Sequence, residues 1–185
     1  KAEDPDEQTL LFRYPSAFQG GHGYIRPMVK IELGARSDTE PVETPSVAPY
    51  LADAFPELLP GSSFSLRAVS PLRTFWEKAM LLHEERARPP GRPRKAGLSR
   101  HYYDLWCLIG KGIAARAAAD TGLFERIAQH RRKFFRLSWL DYATMKKGSL
   151  RMLPQPEQRS VWRLDFQAMR EEMFFEPPPH FEVVL

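Results

Sequence analysis

Between Tyr102 and Ile109 the chain reads Tyr-Tyr-Asp-Leu-Trp-Cys-Leu-Ile, an apolar run with one carboxylate, Asp104, set inside it. An ionised carboxylate in such surroundings is costly unless a cation or good donors answer it. The candidate of matching character is Lys78, a lone amine within Thr-Phe-Trp-Glu-Lys-Ala-Met-Leu-Leu-His. The two are expected to approach each other from adjoining helices. If the pair is buried, removing either partner alone should cost about 3 to 5 kcal/mol.

Glu32 is a third candidate. In Met28-Val29-Lys30-Ile31-Glu32-Leu33, a period of two puts Val29, Ile31 and Leu33 on one face and Met28, Lys30 and Glu32 on the other. The pattern alone favours a surface strand with Glu32 paired to Lys30 or to a cross-strand arginine. If the polar face lines a cleft instead, Glu32 could hold a divalent cation through its oxygens, and that cleft should contain Lys78 as well.

The remaining reactive types are weaker candidates. His22, His83, His101, His130 and His180 are scattered and lack a zinc-ligand spacing. His83, beside Glu84 and Glu85, reads as a surface group. His101 is one turn from Asp104, although an exposed histidine near a helix cap is the commoner fate. The single cysteine, Cys107, reads as a small core residue. Trp76, Trp106, Trp139 and Trp162 fit core positions better than a base-stacking platform.

The elements that must position these residues change character near residue 70. Before it, Thr9 to Tyr14, Ile25 to Leu33 and Phe64 to Val69 are short runs of β-branched and aromatic residues, separated by Gly20-Gly21-His22-Gly23 and by proline-rich connections. After it, helical periods take over. Ser70-Pro71 reads as an N-cap with proline at the first helical position, followed by Leu72, Phe75, Trp76, Ala79 and Leu82 at helical spacing. A second helix is expected from about Ser99, a third through Leu123, Ile127 and Phe134, and a fourth through Val161, Trp162, Phe166, Met169 and Met173. Strands first and helices afterwards predict an α+β fold, with a strand region over residues 1–69 and a helical lobe over residues 70–185.

The 185 residues, 43% hydrophobic, suffice for one core or one core with a satellite. No stretch approaches the ~20 apolar residues that span a bilayer, and the charged opening Lys-Ala-Glu-Asp-Pro-Asp-Glu is not a signal peptide. A cytoplasmic, reducing location is the expectation. The opening also lacks a methionine, so the chain reads as a fragment or as a protein missing its first residues. Residues 1–59 carry a net charge of −5 and residues 60–185 a net charge of +9, so the second part could face a polyanion. One basic run, Arg86, Arg88, Arg92, Arg94, Lys95 and Arg100, surrounds a Pro/Gly loop without any acid between its ends, and phosphate contact is as good an expectation for it as solubility. The other, His130, Arg131, Arg132, Lys133 and Arg136, reads as a solvated helix end whose cations favour the dipole.

Three blocks, Tyr-Ile-Arg-Pro-Met-Val-Lys-Ile-Glu-Leu-Gly-Ala-Arg-Ser-Asp at 24–38, Ser-Pro-Leu-Arg-Thr-Phe-Trp-Glu-Lys-Ala at 70–79 and Ser-Arg-His-Tyr-Tyr-Asp-Leu at 99–105, resemble in order and spacing the nucleotidyl transferase AbiEii/AbiGii toxin family. The resemblance covers roughly residues 9 to 140. It implies a sheet like that of polymerase β-type nucleotidyltransferases followed by a helical lobe. It also implies a toxin of abortive-infection and type IV toxin–antitoxin systems that transfers a nucleotide from an NTP to an acceptor such as tRNA or another RNA, with Mg²⁺ as cofactor and a cognate antitoxin as partner.

Carried over residue by residue, the resemblance puts Glu32 at the third acidic, metal-holding position, Lys78 at the lysine motif and Asp104 at the last aspartate motif. Nucleotidyl transfer needs carboxylates to fix Mg²⁺ and a cation to balance charge as pyrophosphate leaves. Lys78 would be that cation and Asp104 the group that orients it and keeps it protonated. Arg73 and Arg100 would assist with the nucleotide or, the preferred reading, form helix-surface ion pairs with Glu77 and Asp104. The family's Gly-Ser or Gly-Gly turn followed by an aspartate pair has no counterpart: Gly20-Gly21-His22-Gly23 is followed by no acid pair and Gly61-Ser62-Ser63 leads only into a strand. The implied metal site is therefore incomplete, as in a fragment or in a degenerate member that binds nucleic acid or an antitoxin without catalysing.

Overall fold

A computed structural model describes residues 8–16, 26–34, 38, 40–174 and 176–185. The Gly20-Gly21-His22-Gly23 turn, His22, Ile25 and the charged opening lie outside the described residues. The fold is α+β, as expected, with strands confined to the first part of the chain and the long helices to the second.

Among the described residues the strands do not join into one nucleotidyltransferase-like sheet but form three separate two-stranded antiparallel ladders. Strand β1 (Thr9–Arg13) pairs with β2 (Met28–Glu32), β3 (Val42–Glu43) with β6 (Ala68–Val69), and β4 (Ser46–Val47) with β5 (Phe64–Ser65). The expected single run from Phe64 to Val69 is thus split between two ladders. The turn before it is real, with Gly61 at φ +66°, a conformation that a side chain disfavours. A short helix, α1 (Tyr50–Ala54), lies between β4 and β5.

In the β1–β2 hairpin the register sets Leu10 opposite Ile31 and Phe12 opposite Val29. These four and Leu33 all remain exposed. The alternation read from the sequence holds, but its apolar face is not a core face.

The core belongs to the helices. Ser70 caps α2 (Pro71–Arg86), accepting from the Leu72 N–H at 3.3 Å, with proline at the first position. Phe75, Trp76, Ala79, Met80 and Leu82 of this helix are buried. It packs against α3 (Arg100–Gly110), α4 (Ile113–Ala119) and α5 (Thr121–Phe134). Trp76 meets Phe124 edge-on at 4.8 Å and donates its indole N–H to the Ala117 carbonyl at 3.1 Å. Helix α4 leaves little pattern in the sequence, because Ile-Ala-Ala-Arg-Ala-Ala-Ala has high helix propensity but little apolar period. Helix α6 (Arg159–Arg170) adds Trp162, Phe166 and Met169, and the terminal α7 (Phe181–Val184) closes that end through Phe181. Asp165 of α6 accepts from the Gly97 N–H at 2.6 Å and the Ser99 N–H at 2.8 Å, which fixes where α3 begins.

Charge enters this core in pairs. Arg131, expected on a solvated helix end, is only 5% exposed in its side chain and forms a two-pronged bridge to the equally buried Glu84, at 2.7 and 2.6 Å. The basic Pro/Gly loop is likewise folded back. Arg88 and Arg94 reach the buried Glu85, Arg88 and Arg92 each lie 4.8 Å from the Trp139 ring, and Arg94 lies 4.2 Å from the Trp162 ring. Those three arginines are structural staples rather than a free phosphate-binding surface. Replacing Glu84 by Gln should strand a buried guanidinium and lower unfolding stability by about 3 to 5 kcal/mol, whereas Arg132→Gln one residue further on should change it by less than about 0.5 kcal/mol; urea titration of both variants checks the contrast.

Candidate functional site

Lys78 and Asp104 meet, with Nζ and Oδ2 2.6 Å apart. The pair is only part-buried, with side chains 23% and 36% exposed, so the full cost of breaking a buried pair does not apply. His101 joins them: it is buried, and its Nδ1 lies 3.3 Å from Lys78 Nζ and 3.6 Å from Asp104 Oδ2. The expectation of an exposed His101 fails because residue 101, three residues before Asp104, lies on the same side of α3 and faces α2. Burial pushes the His101 imidazole below its usual pKa, with Lys78 and Arg100 adding to the effect. A neutral ring with its Nδ1 lone pair toward the ammonium fits this arrangement. Burial raises the Asp104 carboxyl, but the neighbouring His101 and the hydrogen bond and charge of Lys78 outweigh it and leave the group below the ordinary carboxylate range.

The pair borders a groove of about 310 Å³ lined by Asp38, Arg73, Thr74, Glu77, Lys78 and His101 together with Val69, Leu81 and Arg131. Arg73, expected on the helix surface, is 1% exposed. The anticipated bond to Glu77 exists, at 2.9 and 2.7 Å. Arg73 also lies 3.1 Å from Asp38 and donates to the Glu40 carbonyl. Asp38 accepts two bonds from Arg126 at 2.6 and 2.7 Å, and chiefly for that reason its pKa falls to about 2. Asp38 closes the first of the three sequence blocks, but its role as a clamp between the chain before β3 and helices α2 and α5 left no signal, since its partners lie 35 and 88 residues away.

Two other candidates stand apart from the groove. Glu32 is on the β1–β2 hairpin, its side chain 67% exposed, 2.6 Å from Lys30. The groove lining does not include it: the hairpin pairs with itself, and Lys30 answers Glu32 from two residues away on the same face. Arg100 turns back to the Gly97 carbonyl rather than toward Asp104, and it too is absent from the groove lining.

The described residues do not fit a magnesium ion. Asp38, Glu77 and Asp104 are each committed to a cation, and no group of three potential metal ligands occurs among the described residues. What the groove offers is a fixed ammonium: two of its three N–H bonds are directed to Asp104 and His101, which leaves one to donate.

These features define an α+β protein in which the ion pair of Lys78 and Asp104 borders a groove lined from α2, α3 and the chain around Asp38 and Val69. The chain belongs to the nucleotidyl transferase AbiEii toxin family of type IV toxin–antitoxin systems, whose family model matches residues 1–185. No match is found among curated proteins or among solved structures. No helix among the described residues is long and apolar enough to cross a membrane.

Because the Lys78–Asp104 pair is part-buried, Lys78→Met or Asp104→Asn should each lower unfolding stability by about 1 to 2 kcal/mol, between the values for exposed and buried pairs. The pH dependence has a definite sign. His83 and His101 both titrate below their usual value, mainly through burial. Their contribution is therefore complete above about pH 6.5 and is lost as pH falls through that range. The thermal midpoint should drop between pH 7 and pH 5, and His83→Gln, measured by circular dichroism, should flatten that drop.

Proposed function

We propose that this protein acts in nucleotidyl transfer as a type IV toxin, with an NTP as donor, RNA such as tRNA as acceptor, and a cognate antitoxin as the partner that restrains it. Family membership supports the reaction class, and the Lys78–Asp104–His101 cluster at the groove is the observation that supports these residues as the site. In this reading Asp104 and His101 hold the Lys78 amine in position. Its remaining N–H donates to a phosphate oxygen and balances the charge that develops as pyrophosphate leaves. The strand-rich residues 1–69 and the helical residues 70–185 are the two parts between which the nucleotide would sit. Arg100 acts through the start of α3 rather than on the nucleotide.

A second reading has its own support. With Asp38, Glu77 and Asp104 all bound to cations, the described residues are better suited to binding nucleic acid or an antitoxin than to holding the metal that transfer requires. The two are separated by incorporation of labelled nucleotide into tRNA. The 185-residue chain by itself should show no magnesium-dependent incorporation. A longer protein that carries the family's Gly-Ser turn and aspartate pair ahead of residue 1 should show it, and Lys78→Ala there should lower it at least about 100-fold, on the order of removing a principal charge-stabilising donor. Undiminished activity in that variant would exclude Lys78 from the site.

A further inference from the structure

A second cavity, about 540 Å³, opens at the C-terminal end of α2 and is lined by His83, Arg86, Lys146 and Arg151 with Thr144, Ser149, Gln155 and two alanines. It contains three cations and no carboxylate. The groove at Lys78 is the opposite case, since every cation lining it has an acidic partner.

The floor of this cavity is already satisfied internally. His83, expected at the surface, is buried, and its Nδ1 accepts from the Arg151 N–H at 3.0 Å. Its Nε2 therefore carries the proton and donates to Thr144 Oγ1 at 3.1 Å, and that hydroxyl donates in turn to the Asp141 carbonyl at 2.6 Å. The Ser149 hydroxyl lies 2.7 Å from the Thr144 carbonyl and 2.9 Å from the Lys146 carbonyl. Gln155 donates to the Arg86 carbonyl at 3.2 Å. The network fixes the backbone that carries the three cations, and it engages the His83 ring and the Thr144 and Ser149 hydroxyls.

The side chains of Arg86, Lys146 and Arg151 form no ion pair among the described residues. The nearby acids are otherwise engaged: Glu85 with Arg88 and Arg94, Glu84 with Arg131, and the Asp141 carboxylate with the Ala143 N–H. Like charges gathered in one concavity repel, and the arrangement is relieved by an anion with several acceptor oxygens. Two guanidinium groups and an ammonium match a phosphate group, which accepts charge-assisted bonds from several directions.

We propose that the cavity formed by Arg86, Lys146 and Arg151 is a phosphate-binding site for an RNA backbone or a nucleotide, separate from the Lys78 groove. Arg86 lies eight residues beyond Lys78 on α2, about 12 Å along the axis and about 80° around it. The cavity is therefore a distinct site that does not depend on Lys78 having a catalytic role.

The test uses the full chain, a fluorescein-labelled single-stranded oligoribonucleotide read by anisotropy, and ATP and inorganic pyrophosphate as competitors. The triple variant R86Q/K146Q/R151Q should bind at least tenfold more weakly, with a flatter dependence on salt concentration. The charge-matched variant K111Q/R116Q/R132Q, altered at exposed positions elsewhere, should stay within twofold of the parent. Because R151Q alone changes an exposed side chain, it should retain the parent's thermal midpoint and still lose affinity. Loss of oligoribonucleotide binding would identify RNA as the phosphate source; loss confined to ATP and pyrophosphate would identify a nucleotide. Equal binding by the two triple variants in both arms would overturn the proposal. So would a poly-glutamate peptide binding as tightly as the oligoribonucleotide with the same dependence on the three residues, which would point to an acidic protein partner.

Discussion

The structure turns on the charges that helix α2 carries into the interior. Along one 16-residue helix, Arg73, His83, Glu84 and Glu85 are buried, and each dictates where another part of the chain must go. Arg73 requires Glu77, Asp38 and the Glu40 carbonyl; Glu84 requires Arg131 of α5; Glu85 requires the basic loop; His83 requires Thr144 and the Arg151 backbone. Burying apolar side chains holds these helices together without choosing their partners. Buried charges are more selective, since a carboxylate left unanswered costs more than any single contact returns.

The same constraint separates the two cavities. At the Lys78 groove every charge is matched, so the cluster is rigid and close to neutral. At the far end of α2 the carboxylates are spent on the interior, and the cations on the 146–151 segment and at Arg86 are left to face solvent. One helix thus divides balanced from unbalanced charge within a few turns.

Much of the helical architecture is legible because its signals are local. Ser70-Pro71 marks the start of α2, and the apolar periods through Leu123, Ile127, Trp162 and Phe166 locate α5 and α6. The meeting of Lys78 and Asp104 is legible because each is a lone charge in an apolar run. What is not legible depends on distant partners. His83 and His101 read as surface groups until the chain that covers them is in place. Arg131 belongs to a basic run that looks solvated, although its partner is 47 residues earlier. The strands are legible in position but not in packing: the alternation in β2 is correct, but alternation does not say whether anything packs on the apolar face, and Glu32 lies outside the groove lining.

That hairpin sets the mechanical character of the first part of the chain. A two-stranded ribbon with both faces exposed gains little from packing, and such ribbons are marginal in water. Helix α2, by contrast, is gripped by several buried pairs. Amide hydrogens of residues 9–13 and 28–32 will accordingly exchange with solvent through small local openings, while those in the middle of α2 exchange only when the helical body as a whole comes apart.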